Sequence, residues 1–350
     1  MTLPSTPRSP LLPDRHPEPD FFVCDILNAA PKGDVASMQH PVFSLSTKPD
    51  RHVRRYDHGD LFVEVKPSAD GLATVHNRDI LIYCISQVMG ALNRGQTVSQ
   101  IVRFKAHDLL KSTNRITNGR GYESLKAALE RLAGTRISTN VVTGGQEVFQ
   151  NFGLIDRFEI VRETRDGRMQ EVEVKLSDWV FNALEHNEVL TLSRDYFRLR
   201  KPIERRLYEL ARKHCGRQPE WRVRLALLQK KCGATSSPRE FKRLVLNIVR
   251  EDEQHAHMPD YSVRMDPDDE MVVFRNRGSI PAITNEAVES LTVAPLSPDA
   301  YEAAREAAPG WDVYHLEQEW RGWMTEAPRN VDAAFVGFCR KWYEKRGSAG

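Results

Sequence analysis

One segment, residues 237–250 (SPREFKRLVLNIVR), has the pattern of an amphipathic helix with an apolar side and a basic side. Ser237 is suited to cap its first turn, Pro238 to fill the first helical position, and Glu240 to close a capping box. Apolar residues then recur at the spacing of a buried stripe: Phe241, Leu244, Val245, Ile248 and Val249. The opposite side carries phosphate-binding and base-reading residue types: Arg239, Lys242, Arg243 and Asn247.

The neighbouring segments give this helix a definite context. They are a helix at 202–215, a strand at 221–225, a brief helix at 226–232, and a hairpin of strands at 261–265 and 271–275. The order helix, strand, helix, turn, helix, hairpin is typical of a winged helix. In that fold the second helix of the helix-turn-helix unit enters the major groove of DNA.

The same order occurs earlier in the chain. A long apolar helix at 78–93 precedes a strand at 100–104, a short helix at 106–111 and a second long helix at 122–132. Residues 136–142 and the β-rich runs at 155–161 and 172–176 are then expected to form the wing and extra strands. The groove-facing candidates of this copy are more mixed in type: Asn118, Arg120, Tyr122 and Lys126.

These patterns predict an α+β chain with two tandem winged-helix domains. The expected parts are a disordered Pro-rich leader (1–20), a first winged-helix domain with an N-terminal extension (21–193), a second winged-helix domain (194–278), a linker (279–298) and a small acidic helical tail module (299–350).

Charge is strongly segregated along the chain. Residues 194–250 contain 17 Lys or Arg against 5 Asp or Glu, whereas the whole chain carries a net charge of only +2. Such a block is typical of polyanion binding, although a solvated face balanced by acidic neighbours is the alternative. We therefore assign DNA binding mainly to the second copy. The first copy is expected to add a weaker DNA contact and a homodimer contact, and its apolar helix at 78–93 is wide enough to be core or to offer a contact face.

Composition excludes several other classes. No apolar run approaches the length of a helix that spans a bilayer. The N-terminal segment 1–20 lacks the apolar core of a secretory signal. The five cysteines are odd in number and scattered, without a C-x-x-C pair, so neither a disulfide framework nor a zinc ribbon is expected. The sequence predicts a cytoplasmic protein with reduced thiols, no cofactor and no metal.

Several long stretches carry a resemblance to a known family: 20–41, 53–87, 114–135, 200–216 and 236–249. There the sequence resembles the plasmid replication initiator protein A family, which is similar to iteron-binding plasmid initiators with tandem winged-helix domains. The resemblance implies binding to repeated double-stranded sites in a plasmid origin and distortion of that DNA. It also implies recruitment of host replication proteins, namely a helicase, its loader or the host origin initiator. The family pattern places no metal or nucleotide ligand.

Two other functions remain open. A transcriptional repressor could have the same domains, because a fold does not fix function. A metal-dependent nicking initiator would use His255 and His257 as metal ligands and Tyr261 as nucleophile. The segment His255-Ala256-His257 is expected in a loop, which is a poor platform for catalysis, and no G-x-x-x-x-G-K-[ST] phosphate cradle is present. We therefore predict an initiator without enzymatic activity.

Overall fold

The structure, a computed structural model, describes residues 9–17, 24–25, 42–58, 61–93, 96–143, 146–162, 169–185, 190–216, 218–266, 270–279, 296–309, 311, 313, 316–317, 320, 328 and 330–347. The strands are β1 (Cys24–Asp25), β2 (Arg54–His58), β3 (Leu61–Lys66), β4 (Ile101–Lys105), β5 (Arg136–Thr143), β6 (Gln146–Gly153), β7 (Ile155–Arg162), β8 (Met169–Leu176), β9 (Leu190–Thr191), β10 (Glu220–Arg224), β11 (Tyr261–Asp266) and β12 (Met271–Asn276). The helices are α1 (Arg78–Asn93), α2 (Ala106–Ser112), α3 (Gly119–Gly134), α4 (Asp178–Glu185), α5 (Pro202–His214), α6 (Leu225–Cys232), α7 (Pro238–His255), α8 (Pro298–Ala307) and α9 (Val331–Arg346), with a 3-10 helix at Arg194–Arg198. Contacts divide the chain into two units, residues 1–141 with 149–280 and residues 142–148 with 281–350.

Two stretches of the first unit repeat one element order and one sheet pairing. In the first copy α1, β4, α2 and α3 precede the hairpin β7–β8, and in the second copy α5, β10, α6 and α7 precede the hairpin β11–β12. In each, the strand after the first helix pairs antiparallel with the second hairpin strand, giving the orders β4-β8-β7 and β10-β12-β11. The chain is therefore of mixed helix-and-sheet class, with the element order that the sequence predicts.

Residues 136–142, expected among the wing and extra strands of the first copy, form one of the extra strands. Those residues form β5, which pairs with β3 (Val63 opposite Thr139) in a separate four-stranded sheet of order β2-β3-β5-β6. The hairpin that follows α3 in the position of the second copy's β11–β12 is β7–β8, formed by the β-rich runs expected at 155–161 and 172–176. The β5–β6 hairpin has the stronger local turn signal, because two glycines separate its strands. Partner choice is set by tertiary packing, which a local pattern does not report.

Helix α7 begins where its sequence predicts and ends later. Ser237 Oγ accepts a hydrogen bond from the Glu240 amide at 3.3 Å, and Pro238 occupies the first turn. The Glu240 carboxylate does not close a capping box, because it binds Arg243. The helix continues to His255, beyond the predicted end at Arg250. Its buried residues are Phe241, Val245, Ile248, Val249 and Asp252, whereas Leu244 is only partly buried.

Burial along α7 predicts a sharp difference between two neighbouring substitutions. Ile248 is 1% exposed. Ile248→Ala is therefore expected to lower the free energy of unfolding by about 2 to 5 kcal/mol, because alanine leaves a cavity. Leu246→Ala is the matched control on the same helix, since the Leu246 side chain is 38% exposed. Its expected loss is at most about 0.5 kcal/mol. Chemical denaturation measures both, and equal losses would contradict the orientation of α7.

Helix α1 is buried inside the chain rather than presented to a partner. Ile80, Leu81 and Ile85 are fully buried in the core of the first copy, and Ile82 belongs to the core of the second. Of the two alternatives for this helix, core or contact face, its burial agrees with core. Most of its apolar residues fill the core of the first copy and Ile82 reaches the second, so α1 has no free apolar stripe within the described residues.

Buried ion pairs connect α1 to α5. Arg78 Nη1 lies 2.5 Å from Glu209 Oε2, and Arg205 Nη1 lies 2.6 Å from Asp79 Oδ1. All four side chains are at most 3% exposed. Tyr196 donates its hydroxyl to Glu209 at 2.7 Å, which satisfies another oxygen of the pair. Charges buried this deeply are costly unless paired, so the network requires both copies to be in place.

His76 lies beside this network, and its titration predicts the acid sensitivity of the fold. Burial, with Arg205 and Arg115 nearby, lowers the pKa of His76 from 6.5 to about 3. The unfolded chain therefore takes up a proton below about pH 6.5 that the folded chain does not, so stability falls as pH drops from about 6.5 toward 3. In His76→Gln this part of the pH dependence is expected to disappear. If His76→Gln kept the wild-type pH dependence of unfolding, His76 would not be the source of the acid sensitivity.

The disordered leader expected at residues 1–20 is wrong for residues 9–17. Leu12 exchanges hydrogen bonds with Arg198: its amide donates to the Arg198 carbonyl at 2.8 Å, and Arg198 Nε donates to its carbonyl at 3.0 Å. The Arg15 amide donates to Asn114 Oδ1 at 2.8 Å. Proline-rich composition lowers helix and sheet content, but an extended segment can still dock through backbone hydrogen bonds.

The second unit has a core of its own under α8 and α9. Its largest buried side chains are aromatic: Trp320, Phe335 and Trp342. Ser297 caps α8 and Asn330 caps α9, so both helices begin at chemically defined positions. Most of the predicted linker at 279–298 lies outside the described residues. Among the described helices, none is long and apolar enough to cross a membrane.

Candidate nucleic-acid interface

The four predicted side chains of α7 share its solvent side, and we call them the α7 strip: Arg239, Lys242, Arg243 and Asn247. Arg239 is exposed and has no ion-pair partner among the described residues. The side chains of Lys242 and Arg243 are 40% and 59% exposed. Asn247 is half-buried, and its side-chain oxygen accepts a hydrogen bond from Arg250. The helix therefore presents the strip to solvent while its other side fills the core.

Carboxylates accompany two members of the strip, which the sequence did not indicate for Lys242. Lys242 Nζ lies 2.5 Å from Glu270 Oε1, just before β12, and Arg243 binds both oxygens of Glu240 at 2.6 and 2.8 Å. Glu270 and Glu240 are 59% and 44% exposed. Exposed pairs of this kind contribute only about 0 to 1 kcal/mol. A DNA phosphate or base edge competes well against them, because it offers several acceptors at once.

Removing one of these competing carboxylates is expected to strengthen DNA binding. Glu270→Gln frees Lys242 and deletes a negative charge beside the strip, so affinity for duplex DNA should rise about two- to fivefold, the equivalent of an exposed pair. Fluorescence anisotropy at low salt measures the change. Glu159→Gln on β7, whose carboxylate pairs with Arg157, is the matched control and should change nothing. Weaker binding by Glu270→Gln would show that Glu270 positions Lys242 for DNA.

The outer face of the second copy's sheet carries further cations, which sequence reasoning missed. Strand pairing aligns Arg222 on β10 with Val273 and Arg264 across the sheet. We call the exposed arginines of this face the sheet strip: Arg222, Arg224, Arg264 and Arg275. Glu220, 2.8 Å from Arg275, and Asp266, 3.7 Å from Arg222, partly balance them. The signal was the alternation of apolar and basic residues at 221–225, which places every second residue outward.

Much of the basic block at 194–250 does not face solvent. Arg205 and Arg206 bind Asp79 and Glu209 inside the protein. Arg198 holds the N-terminal segment through the Leu12 carbonyl. The surplus of positive charge therefore overstates the free cations. Among the described residues of the block, exposed cations lie on the α7 strip, on the sheet strip and also at Arg200, Lys230 and Arg250.

The first copy has fewer exposed cations available for DNA at its predicted contact residues. Asn118 caps α3 by accepting from the Gly121 amide at 3.3 Å, and Tyr122 packs against the first core. Lys126 is exposed, 3.6 Å from Glu130, and Arg120 is exposed. Two of the four predicted residues are thus held in structural roles. A Cβ on Gly121 would overlap the Ile116 carbonyl, so this turn requires glycine.

The three residues of the nicking alternative are not arranged as a catalytic site. His255 is the last residue of α7, and His257 is 1% exposed on its side chain. Tyr261 is fully buried and donates its hydroxyl to the Gly216 carbonyl at 2.9 Å. Burial raises the pKa of Tyr261 to about 12. A nucleophile must be accessible and readily deprotonated, and this hydroxyl is neither.

Comparison with known proteins identifies the family to which the chain belongs. The model of the family described as "Replication initiator protein A" matches residues 32–263. A curated relative from Wigglesworthia glossinidia brevipalpis, named "Putative replication protein", is 36% identical over 263 residues, which are 74% of this chain and 94% of the relative. The chain belongs to the replication initiator protein A family, and its role is in replication initiation.

Two solved structures are similar to the chain at low identity. Domains 2 and 3 of RctB, solved as a selenomethionine derivative, match with a TM-score of 0.48 at 14% identity, covering 72% of this chain and 98% of that one. A second crystal structure of RctB domains 2–3 matches with a TM-score of 0.47 at 15% identity, covering 67% of this chain and 94% of that one.

Proposed function

We propose that the second copy is a winged-helix domain that binds repeated double-stranded sites in a plasmid origin. In this proposal the α7 strip reads base edges in the major groove, and the sheet strip contacts the flanking backbone. Binding distorts the origin DNA and recruits host replication proteins, namely a helicase, its loader or the host origin initiator. The single observation that carries the proposal is the amphipathic division of α7, with cations outward and Phe241, Val245 and Ile248 in the core.

Residue chemistry supports this assignment of roles. Arginine forms bidentate hydrogen bonds to guanine and asparagine to adenine, whereas lysine acts mainly as a point charge on phosphate. Arg243 and Asn247 lie one helical turn apart on the same side of α7, as base-reading residues do. The arginines of the sheet strip are suited to backbone contacts, which position the protein without reading sequence.

The first copy is proposed to add a weaker contact through Arg120 and Lys126. Two unequal copies in one chain favour a long asymmetric site, which suits direct repeats better than a palindrome. A homodimer contact through the first copy remains a prediction, and burial of α1 means that it would need another surface.

We further propose that the chain acts without catalysis of its own. The buried and hydrogen-bonded Tyr261 hydroxyl and the buried His257 ring support this. Strand separation would then depend on a partner. Supercoiled origin DNA incubated with the chain and Mg²⁺ or Mn²⁺ is expected to remain unnicked, and a nick that depends on Tyr261 would overturn this part.

Footprinting on the cloned plasmid origin tests the DNA-binding proposal. Protection of several direct repeats at moderate salt, lost from all repeats together in a variant lacking the α7 strip, is the expected result. Protection of one inverted site at a promoter would favour the repressor alternative. No protection of the origin would remove the proposal.

A further inference from the structure

His257 has buried nitrogens without hydrogen bonds. It follows the left-handed turn at Ala256 (φ 47°) that ends α7, and its side chain is 1% exposed. Neither ring nitrogen has a hydrogen-bond partner among the described residues. Nε2 lies 3.4 Å from Glu204 Oε1, and Nδ1 lies 3.8 Å from Asp252 Oδ1. Buried polar atoms without hydrogen bonds are rare and destabilising, so an additional ligand of this ring would stabilise it.

Two carboxylates converge on the same point. Glu204, in the first turn of α5, is 0% exposed, and Glu251, in the last turns of α7, is 35% exposed. One ligand atom from each of Glu204, Glu251 and His257 lies within 4.8 Å of the others. Carboxylate oxygens together with an imidazole nitrogen form a donor set for divalent transition metals.

Asp252 is a third carboxylate close to the His257 ring, but its own hydrogen bonds go elsewhere. Its Oδ1 accepts from the Met258 amide at 2.9 Å, and its Oδ2 accepts from the Val263 amide at 3.0 Å and from Arg277 at 2.7 Å. The carboxylate is therefore fixed beside Nδ1 of His257. At 3.8 Å from Nδ1 it adds negative charge beside the ring without a hydrogen bond to it.

Lys201 supplies the positive charge at this point in the structure. Its Nζ lies 3.1 Å from Glu204 Oε1 and also binds Glu251. One ammonium balances the charge of only one of the two carboxylates. It also leaves both ring nitrogens of His257 without a hydrogen bond. The lysine side chain is 37% exposed, so it is able to turn out to solvent. A dication would balance both carboxylates and also bind Nε2.

We propose that Glu204, Glu251 and His257 form a site for a divalent transition metal of the Zn²⁺ class, in competition with Lys201. Each residue contributes one ligand atom, which leaves an open position for water. The ion would tie the start of α5 to the end of α7 and to the loop before β11. The site is independent of the DNA-binding proposal, because none of its ligands belongs to the α7 strip or the sheet strip.

Titration of the full-length, chelator-treated chain with Co²⁺, followed by competition with Zn²⁺, tests the site. One equivalent of Co²⁺ is expected to give a visible d–d spectrum that Zn²⁺ abolishes. Lys201→Met should bind the ion about tenfold more tightly because the competing ammonium is gone, and Glu251→Gln about tenfold less tightly. Glu251 is partly exposed, so its variant is expected to fold, as circular dichroism will check.

His255→Gln is the control, because His255 lies two residues away and outside the ligand set. Unchanged binding by His255→Gln supports the site. Loss of binding in His255→Gln, or no tighter binding by folded Lys201→Met, would overturn it. So would the absence of any stoichiometric Co²⁺ spectrum.

Discussion

Replacing both Lys242 and Arg243 with alanine is expected to weaken binding to the plasmid origin about thirtyfold or more while leaving the unfolding midpoint unchanged. The base-reading contact of Arg243 is worth about 1 to 3 kcal/mol and the phosphate contact of Lys242 adds to it for every sequence alike, so the two together amount to about 2 kcal/mol or more. The midpoint should hold because both side chains are exposed and their pairs with Glu270 and Glu240 are weak. Anisotropy titration with an origin duplex and a thermal melt measure the two quantities.

A matched control separates this effect from a general loss of charge. Arg103 on β4 and Lys175 on β8 are also cations in ion pairs, with Glu173 and Asp156, on the outer sheet face of the first copy. That face has mixed charge and is a poor surface for DNA. Arg103→Ala with Lys175→Ala removes the same two charges and should leave origin affinity within about twofold. An equal loss in the control would assign the effect to net charge.

Replacing Arg205 with methionine is expected to destabilise the protein by about 3 to 5 kcal/mol, the largest effect among the stability variants. The substitution leaves Asp79, whose side chain is 2% exposed, without its principal partner in a buried setting. Arg115 still lies 3.2 Å from Asp79 but is 16% exposed and also donates to the His76 carbonyl. Loss of the Arg205 hydrogen bonds to the carbonyls of Leu199 and Phe197 adds to the cost.

Arg103→Met is the control for this prediction, because Arg103 pairs with Glu173 while 70% exposed. It should cost about 0 to 1 kcal/mol. Chemical denaturation followed by tryptophan fluorescence and by circular dichroism compares the variants. Arg205→Met with wild-type stability would mean that α1 and α5 are not joined by the buried pair.

Local chemistry was sufficient to predict α7 and insufficient to predict where it stops. Ser237, Pro238 and the apolar stripe are read from neighbouring positions, and the structure has them as expected. The sequence pattern ended the helix at Arg250 and placed the following residues in a loop before the hairpin, yet Asp252 lies in α7 and is buried. Its carboxylate accepts from the Met258 and Val263 amides, partners that exist only once β11 has packed beside the helix.

The same distinction explains the basic block. Arg205 and Arg206 contribute to a local surplus of charge, but their partners include Asp79, 126 positions earlier in the chain than Arg205. Sequence spacing within the block cannot show that pairing. The sheet strip was missed for the opposite reason. Alternation at 221–225 placed Arg222 and Arg224 outward, but only the register with β12 and β11 adds Arg264 to the same face.

The ratio of dissociation constants for an origin repeat and a shuffled duplex of equal length tests the central claim most directly. Measured at two salt concentrations, wild type should prefer the repeat by about a thousandfold or more, with affinity for both falling as salt rises. The Lys242→Ala, Arg243→Ala double variant should lose about 1 to 3 kcal/mol of that preference, the share of the Arg243 base contact, while the loss of Lys242 weakens binding to both duplexes alike. A double variant that keeps the wild-type ratio at both salts would show that α7 does not read the DNA.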